Sequence, residues 1–258
     1  MARIKPKLIQ NVFEARYERG YRYLDRCGDV MVIIEEALPS LSKNSVWMPD
    51  DARPTGARMK CPSLDITVAF DTTRLVVDQN PVDKECSFDD ISQYIFGTIC
   101  SKFNTSTITR FGNRRYYIFP VDSVDEASRL SVKKAPLKDW PVPESDDMKL
   151  QQCQATVIFE KPDHSIGTSF SIRPVSRIDA PLQLDERLRV PPHLLPTGQR
   201  EALVEQLRRQ KHREKEPVAG LMVDIDYYWV RPEETSVKVF LEKAQLEITR
   251  LVNSFLEK

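Results

Sequence analysis

Residues 64–70 read Leu-Asp-Ile-Thr-Val-Ala-Phe, an alternation that predicts a half-buried β-strand. Residues 223–229, Val-Asp-Ile-Asp-Tyr-Tyr-Trp, have a similar alternation. Each stretch leads through proline and acidic residues to a serine, Ser87 or Ser236, and then to an amphipathic helix. Because a helix laid across an antiparallel sheet buries the apolar face of both, the sequence predicts an α+β fold. We expect two similar halves, each a mainly antiparallel β-sheet packed with an amphipathic helix.

A proline-rich stretch separates these halves. Pro136, Pro141 and Pro143 predict a linker at 135–150, between an N-terminal half at 1–134 and a C-terminal half at 151–258. The last helix of the second half has the most regular pattern in the chain. Its apolar side chains recur at helical spacing: Val237, Phe240, Leu241, Ala244, Ile248, Leu251, Val252 and Phe255.

Weaker patterns place the remaining elements. The β-branched run at 30–34 predicts a strand buried on both faces. Residues 39–61 contain prolines and a glycine, which indicate a loop. Residues 122–134 and 199–216 predict helices. Further predicted strands are 11–18, 107–121 around a Gly112-Asn113 turn, 219–230, and a hairpin of 156–159 with 168–172.

Composition restricts the class of protein. The 258 residues include 38 basic and 38 acidic side chains, and this balance argues against a protein that binds polyanions over its whole surface. The apolar runs are far shorter than the roughly 20 residues that span a bilayer, and no apolar segment follows the charged N-terminus as in a signal peptide. The five cysteines are scattered and never paired as C-x-x-C, which favours free thiols in the cytoplasm.

A basic and aromatic stretch at residues 109–117 is the first candidate site. Arginine forks hold phosphate oxygens and aromatic rings stack on bases, so this pattern indicates a nucleic-acid surface. The basic side of the 199–216 helix would extend that surface. The alternative is an ordinary strand and a solvated helix, whose arginines pair with neighbouring acids. The candidate nucleic-acid-binding residues are Arg110, Arg114, Arg115, Tyr116, Tyr117, Arg208 and Arg209.

Asp224 and Asp226 are the second candidate site. Their period-two spacing places both carboxylates on one face of a strand, about 7 Å apart. Such pairs bind oxygen-seeking cations such as Mg²⁺, usually together with a phosphate substrate. The alternative is the solvent face of a half-buried strand, because no third acidic residue has a convincing local spacing.

The sequence contains no recognisable catalytic motif. It lacks a Walker loop, a dinucleotide fingerprint, H-E-x-x-H and G-x-S-x-G. The leading hypothesis is therefore a non-catalytic interaction protein, an accessory or regulatory subunit without a cofactor that contacts a protein partner or a second copy. The prolines and charged helix of residues 174–216 favour partner binding, and the exposed sheet surfaces suit β-augmentation. The alternatives are a nucleic-acid-binding protein and a metal-dependent phosphate enzyme.

Three elements resemble a sporadically distributed, functionally uncharacterised family of bacterial proteins of similar length. They are Lys5-Pro6 with the Phe13-Glu14-Ala15-Arg16 strand, the Thr109–Tyr116 stretch, and the 221–226 strand with the helix that follows it. The sequence departs from the family pattern by an extra residue before the tyrosine and by the absence of a histidine in the last helix. The resemblance implies an α+β cytoplasmic protein with no established activity, and its patchy occurrence is typical of genes that travel with mobile or defence modules. The leading hypothesis is accordingly a subunit of a bacterial complex of the defence or toxin–antitoxin type.

Overall fold

The computed structural model describes residues 5–41, 45–80, 82, 87–105, 107–134, 153–176, 186–191, 195, 198–213 and 219–257. These residues form an α+β fold, as the sequence predicts; the proposed linker at 135–150 lies outside them. The strands are β1 (Lys7–Tyr17), β2 (Met48–Arg53), β3 (Gly56–Cys61), β4 (Ile66–Phe70), β5 (Arg74–Gln79), β6 (Ile108–Val121), β7 (Ala155–Glu160), β8 (Ile166–Ser176) and β9 (Ala219–Val230). The helices are α1 (Tyr23–Leu41), α2 (Phe88–Phe103), α3 (Val124–Lys134), α4 (Gln199–Arg213) and α5 (Val237–Glu257).

Within the described residues, all nine strands belong to one sheet, in the order β2-β3-β4-β5-β1-β6-β9-β8-β7. Every neighbouring pair is antiparallel. β6 and β9 join the N-terminal and C-terminal strands, since they pair from Arg110 opposite Val230 to Val121 opposite Ala219. The division into two similar halves stays a prediction, but their strands share this one sheet.

One face of the sheet carries the core. Helices α1, α2 and α5 cover this face, and side chains at alternate strand positions point into it. Phe13 and Phe111 of the central strands pack against Phe96 of α2 and Phe240 of α5, with the Phe96 and Phe111 ring centroids 5.1 Å apart. The side chains at the intervening positions of the same strands point to the opposite surface of the sheet, which we call the outer face.

The prediction of a strand at residues 30–34 is wrong, because these residues lie inside α1. Val30, Ile34 and Leu38 are fully buried at a spacing of four, whereas Val32 is exposed. This is the pattern of a helix with one buried face. The packing of that face outweighs the β preference of the branched side chains, which is a weak effect.

The loop expected at 39–61 is also wrong in part. Residues 48–53 and 56–61 form the β2–β3 hairpin, and Pro54-Thr55 is its two-residue connection. The Gly112-Asn113 turn is a second error: β6 continues through both residues, which pair with β1 and β9. Pairing on both sides keeps this central strand extended, although Gly-Asn is a common turn sequence.

Ser87, the serine that precedes the first amphipathic helix in the sequence, is the N-cap of α2. The backbone N–H of Asp90 donates to Ser87 Oγ at 3.3 Å, and Asp89 and Asp90 occupy the first turn.

In the described part of the chain, none of the helices combines the length and the apolar character needed to cross a membrane.

Candidate functional site

The alternation of β6 divides the basic and aromatic residues between the two faces of the sheet. Arg110, Arg114 and Tyr116 lie on the outer face, whereas Arg115 and Tyr117 lie on the helix-covered face. Without a turn at Gly112-Asn113, odd and even positions of one strand must point in opposite directions. The five candidates therefore do not form one surface.

On the outer face, the arginines bind the two aspartates that the sequence offered as metal ligands. Arg114 holds Asp224 with two bonds, Nε to Oδ1 at 2.8 Å and Nη2 to Oδ2 at 2.5 Å. Arg110 donates to Asp226 Oδ2 at 2.7 Å and to Glu14 Oε1 at 2.9 Å. The predicted basic site and the predicted acidic site are thus one ion-pair network across β1, β6 and β9.

Two tyrosines lie against these guanidinium groups. The Arg114 guanidinium carbon lies 4.9 Å from the centroid of the Tyr116 ring, and that of Arg110 lies 5.0 Å from Tyr228. Tyr228 crosses Gly167 on β8, where a Cβ would collide with the tyrosine ring. Only a glycine at that position leaves room for the tyrosine, whose hydroxyl donates to Glu160 on β7.

The electrostatics of this network follow from partial burial. Desolvation raises the pKa of Asp226, and Arg110 opposes that rise. Burial also raises the pKa of Tyr228 to about 12, with a further contribution from its hydrogen bond to Glu160. The hydrogen bond to Asp224 raises the pKa of Arg114, so this side chain is a permanent cation.

Arg115 has a different environment on the helix-covered face. Its side chain is 7% exposed and its Nη2 lies 4.0 Å from Asp89 Oδ2 in the first turn of α2. Asn113, on the same face, is fully buried. Tyr117 packs against the hydrophobic core. Arg115 and Tyr117 are thus not presented to a ligand on the outer face.

The two candidate arginines of α4 also differ from each other. Arg208 is exposed and lies 3.6 Å from Glu205, as in a solvated helix face. Arg209 donates to the carbonyl oxygens of Ser63, at 2.7 Å, and Pro62, and it lies 3.5 Å from Asp65. Arg209 therefore attaches α4 to the β3–β4 connection.

The metal hypothesis rests on Asp224 and Asp226 alone. Among the residues that the structure describes, no group of three or more His, Cys, Asp or Glu side chains is arranged to hold a metal ion. A cation at the two aspartates would displace Arg114 and Arg110.

The two edges of the sheet present different surfaces. β2 carries Pro49, which has no N–H, and Asp50, which pairs with Lys60 at 3.3 Å and Arg187 at 2.8 Å. Proline and charge are common protections of an edge strand. β7, at the other edge, has neither in its interior, and its Ile158 and Phe159 are 61% and 57% exposed.

A groove of about 380 Å³ lies beside this edge on the helix-covered face. Its apolar lining comes from three elements: Val157 and Phe159 of β7, Phe170 and Ile172 of β8, and Leu251 and Phe255 of α5. Lys134 at the end of α3 closes one side, since its Nζ donates to the Phe255 carbonyl oxygen at 2.8 Å and lies over the Phe255 ring. We call this surface, together with the free side of β7, the β7 edge.

The sequence predicts the strand of the β7 edge, at residues 156–159, but not its exposed position. The available signal was the apolar run Val157-Ile158-Phe159, which is not the alternation of a strand with one solvent face.

No protein-family model and no curated protein matches the chain. The family resemblance noted above accordingly stays a prediction.

Proposed function

We propose that this protein is a non-catalytic accessory or regulatory subunit that binds a protein partner, either a different protein or a second copy of this chain, through the β7 edge. A partner would contribute an extended segment as a further strand beside β7. The observation that carries this proposal is the unprotected edge itself, with Ile158 exposed on the outer face and Phe159 exposed beside the apolar groove.

The chemistry of the β7 edge suits such a partner. In β-augmentation, main-chain hydrogen bonds supply affinity, and pockets for alternate side chains supply specificity. The groove beside Val157 and Phe159 would take the apolar side chains of one face of the added strand. The side chain of Glu160, on the other face, is held by Tyr228 and by His164 at 2.8 Å.

The outer face supports the nucleic-acid alternative less well. Arg110 and Arg114 already bind Glu14, Asp224 and Asp226, so a phosphate would compete with carboxylates for the same donors. Arg110 and Arg114 are each paired with an acid on this face. An ion pair of this kind is a structural link between strands and provides little net attraction for a polyanion.

The test is affinity purification of the tagged protein from its native host, with two matched variants. Ile158→Lys and Leu246→Lys each place a charge at an exposed apolar position, the first on β7 and the second on α5, where Leu246 is 69% exposed. We expect a stoichiometric protein to accompany the wild type and Leu246→Lys but not Ile158→Lys. Identical eluates from both variants, or nucleic acid that salt removes in place of a protein, would contradict the proposal.

A further inference from the structure

The backbone of β7 has one side that is paired with β8 and one that is not. The N–H of Lys161 donates to the carbonyl oxygen of Ile166 at 2.9 Å, in register with the β7–β8 ladder. Because the direction of backbone groups alternates along an antiparallel strand, Val157 and Phe159 also bond toward β8. The N–H and C=O groups of Thr156, Ile158 and Glu160 therefore face away from the sheet, and no strand of the described residues pairs with that side.

We propose that the occupant of the β7 edge is the β7 strand of a second copy of this chain. The inference rests on the proposed function, because it names the partner of the same edge. The two strands would run antiparallel about a two-fold axis at Ile158, perpendicular to the sheet. Residues opposite each other in an antiparallel pair share a face, so Ile158 meets Ile158 of the second copy and Val157 meets its Phe159.

In this register, the side chains of β7 are complementary to those of the same strand in the second copy. Apolar residues meet apolar residues at the three central positions, and each Glu160 lies opposite a threonine, Thr156 of the other copy. An axis at Glu160 would bring two carboxylates together, and an axis at Phe159 would place Glu160 against Ile158. An axis at Val157 would leave Ile158 opposite a threonine and Phe159 opposite an alanine. The pairing of charged and of apolar side chains therefore favours a two-fold axis at Ile158.

The same geometry completes the groove and the hydrogen-bond ladder. A two-fold axis perpendicular to the sheet keeps the helix-covered faces of both copies on one side, so Phe159 of each copy extends the apolar lining beside Val157 of the other. The outward groups of Thr156, Ile158 and Glu160 would form about six backbone hydrogen bonds between the copies. Both exposed apolar residues of β7 are covered by this one contact.

The experiment measures the mass of the full chain in solution by light scattering and sedimentation. We expect a dimer of twice 29.8 kDa for the wild type and for Leu246→Lys. Ile158→Pro removes only an outward N–H, because the N–H of Ile158 does not bond to β8, and proline is accepted at such edge positions. We expect Ile158→Pro and Ile158→Lys to be monomers with an unchanged circular dichroism spectrum.

Cysteine cross-linking tests the axis. Opposed residues at the axis have Cα atoms about 5.5 Å apart, within disulfide range. We expect mild oxidation to cross-link Ile158→Cys into dimers, with Val157→Cys and the wild type as controls. A dimer that Ile158→Pro leaves intact, or cross-linking that is strongest at Val157→Cys, would overturn the inference.

The outcomes separate this inference from the proposed function. A monomeric wild type that captures a different protein, in a manner abolished by Ile158→Lys, would overturn the second-copy inference and support the proposed function. A monomeric wild type that captures nothing would overturn both. A dimer that Ile158→Pro dissociates supports both, with the second copy as the partner of the edge.

Discussion

Arg115 and Asp89 face each other beneath the first turn of α2, with 4.0 Å between Nη2 and Oδ2. One strand position away, Arg114 makes a two-bond ion pair with Asp224 on the outer face, where its side chain is 46% exposed. Arg114 and Arg115 carry the same charge, but the first is half exposed on the outer face and the second is buried beneath α2. We therefore expect their substitutions to change the stability of the fold by different amounts.

We expect Arg115→Ala to lower the free energy of unfolding by about 2 kcal/mol, because it leaves Asp89 without its cation and removes a buried side chain. Arg114→Ala should cost less than about 1 kcal/mol, as is usual for an exposed ion pair. Urea unfolding of both variants measures the difference. Equal losses for the two variants would contradict the larger contribution to stability that we assign to Arg115.

The nucleic-acid alternative predicts that removing the charge of Asp224 strengthens binding, because a phosphate must compete with Asp224 for the Arg114 guanidinium. We therefore expect Asp224→Asn to bind a labelled oligonucleotide more tightly than the wild type, and Arg114→Ala to bind it more weakly. Arg115→Ala should bind it as the wild type does. Fluorescence anisotropy over a range of salt concentrations measures this, since phosphate contacts weaken as salt rises. If wild type and all three variants fail to bind, the outer face is not a nucleic-acid surface.

The metal hypothesis makes a prediction about the same pair of strands. A divalent cation must displace Arg114 and Arg110, after which it would stabilise the folded state by binding to it. Mn²⁺ should then raise the thermal midpoint of the wild type and leave the Asp224→Asn, Asp226→Asn double variant unchanged. Calorimetry with Mn²⁺ and with Ca²⁺ is the measurement. A wild-type midpoint that neither ion moves would remove the two aspartates from consideration as ligands.

The pH dependence of stability should include an unfavourable contribution from Asp78. Burial raises the pKa of this carboxyl group, although the Gln10 amide donates to it at 2.9 Å and opposes the rise. The folded state therefore binds the Asp78 proton more tightly than the unfolded chain does, and the contribution of this group to stability falls as pH rises through the folded pKa. We expect Asp78→Asn to be more stable than the wild type at pH 7, by a margin that disappears in acid.

Asp163 provides a control of opposite sign for this prediction. The hydroxyl and backbone N–H of Ser165 donate to its carboxylate and lower its pKa, so its contribution is present at neutral pH and is lost as pH falls through that lowered value. Asp163→Asn should be less stable than the wild type at pH 7. Urea midpoints between about pH 2 and pH 7 measure both variants, because both contributions change fully only when the pH falls below the ordinary carboxyl pKa. Parallel pH profiles for the wild type and Asp78→Asn would contradict the assignment.

Local patterns were sufficient for the elements whose apolar spacing is regular, such as α5, and for α2, whose cap is visible in the sequence. They were insufficient where tertiary packing decides. Val30–Ile34 has the composition of a strand, but only a helix buries Val30, Ile34 and Leu38 together. Prolines and a glycine between residues 39 and 61 have the composition of a loop, so no local pattern there indicates the hairpin of β2 and β3.

The candidate site was harder to predict than the fold. The arginines of β6 and the aspartates of β9 were each recognisable, but Arg114 and Asp224 are 110 positions apart in the chain. Their pairing depends on the register between two strands, which no local pattern specifies. The free edge at β7 likewise depends on which strand comes last in the sheet.

The long separation between β6 and β9 has a consequence for biosynthesis. β6 lies inside the sheet, sixth in the order of nine strands, yet its partner on one side is β9, the last of the described strands to emerge from the ribosome. Until then, the growing chain exposes a strand rich in aromatic side chains, and non-local pairings of this kind are slow to form. We therefore expect the yield of native protein to depend on chaperones that bind extended apolar segments during translation.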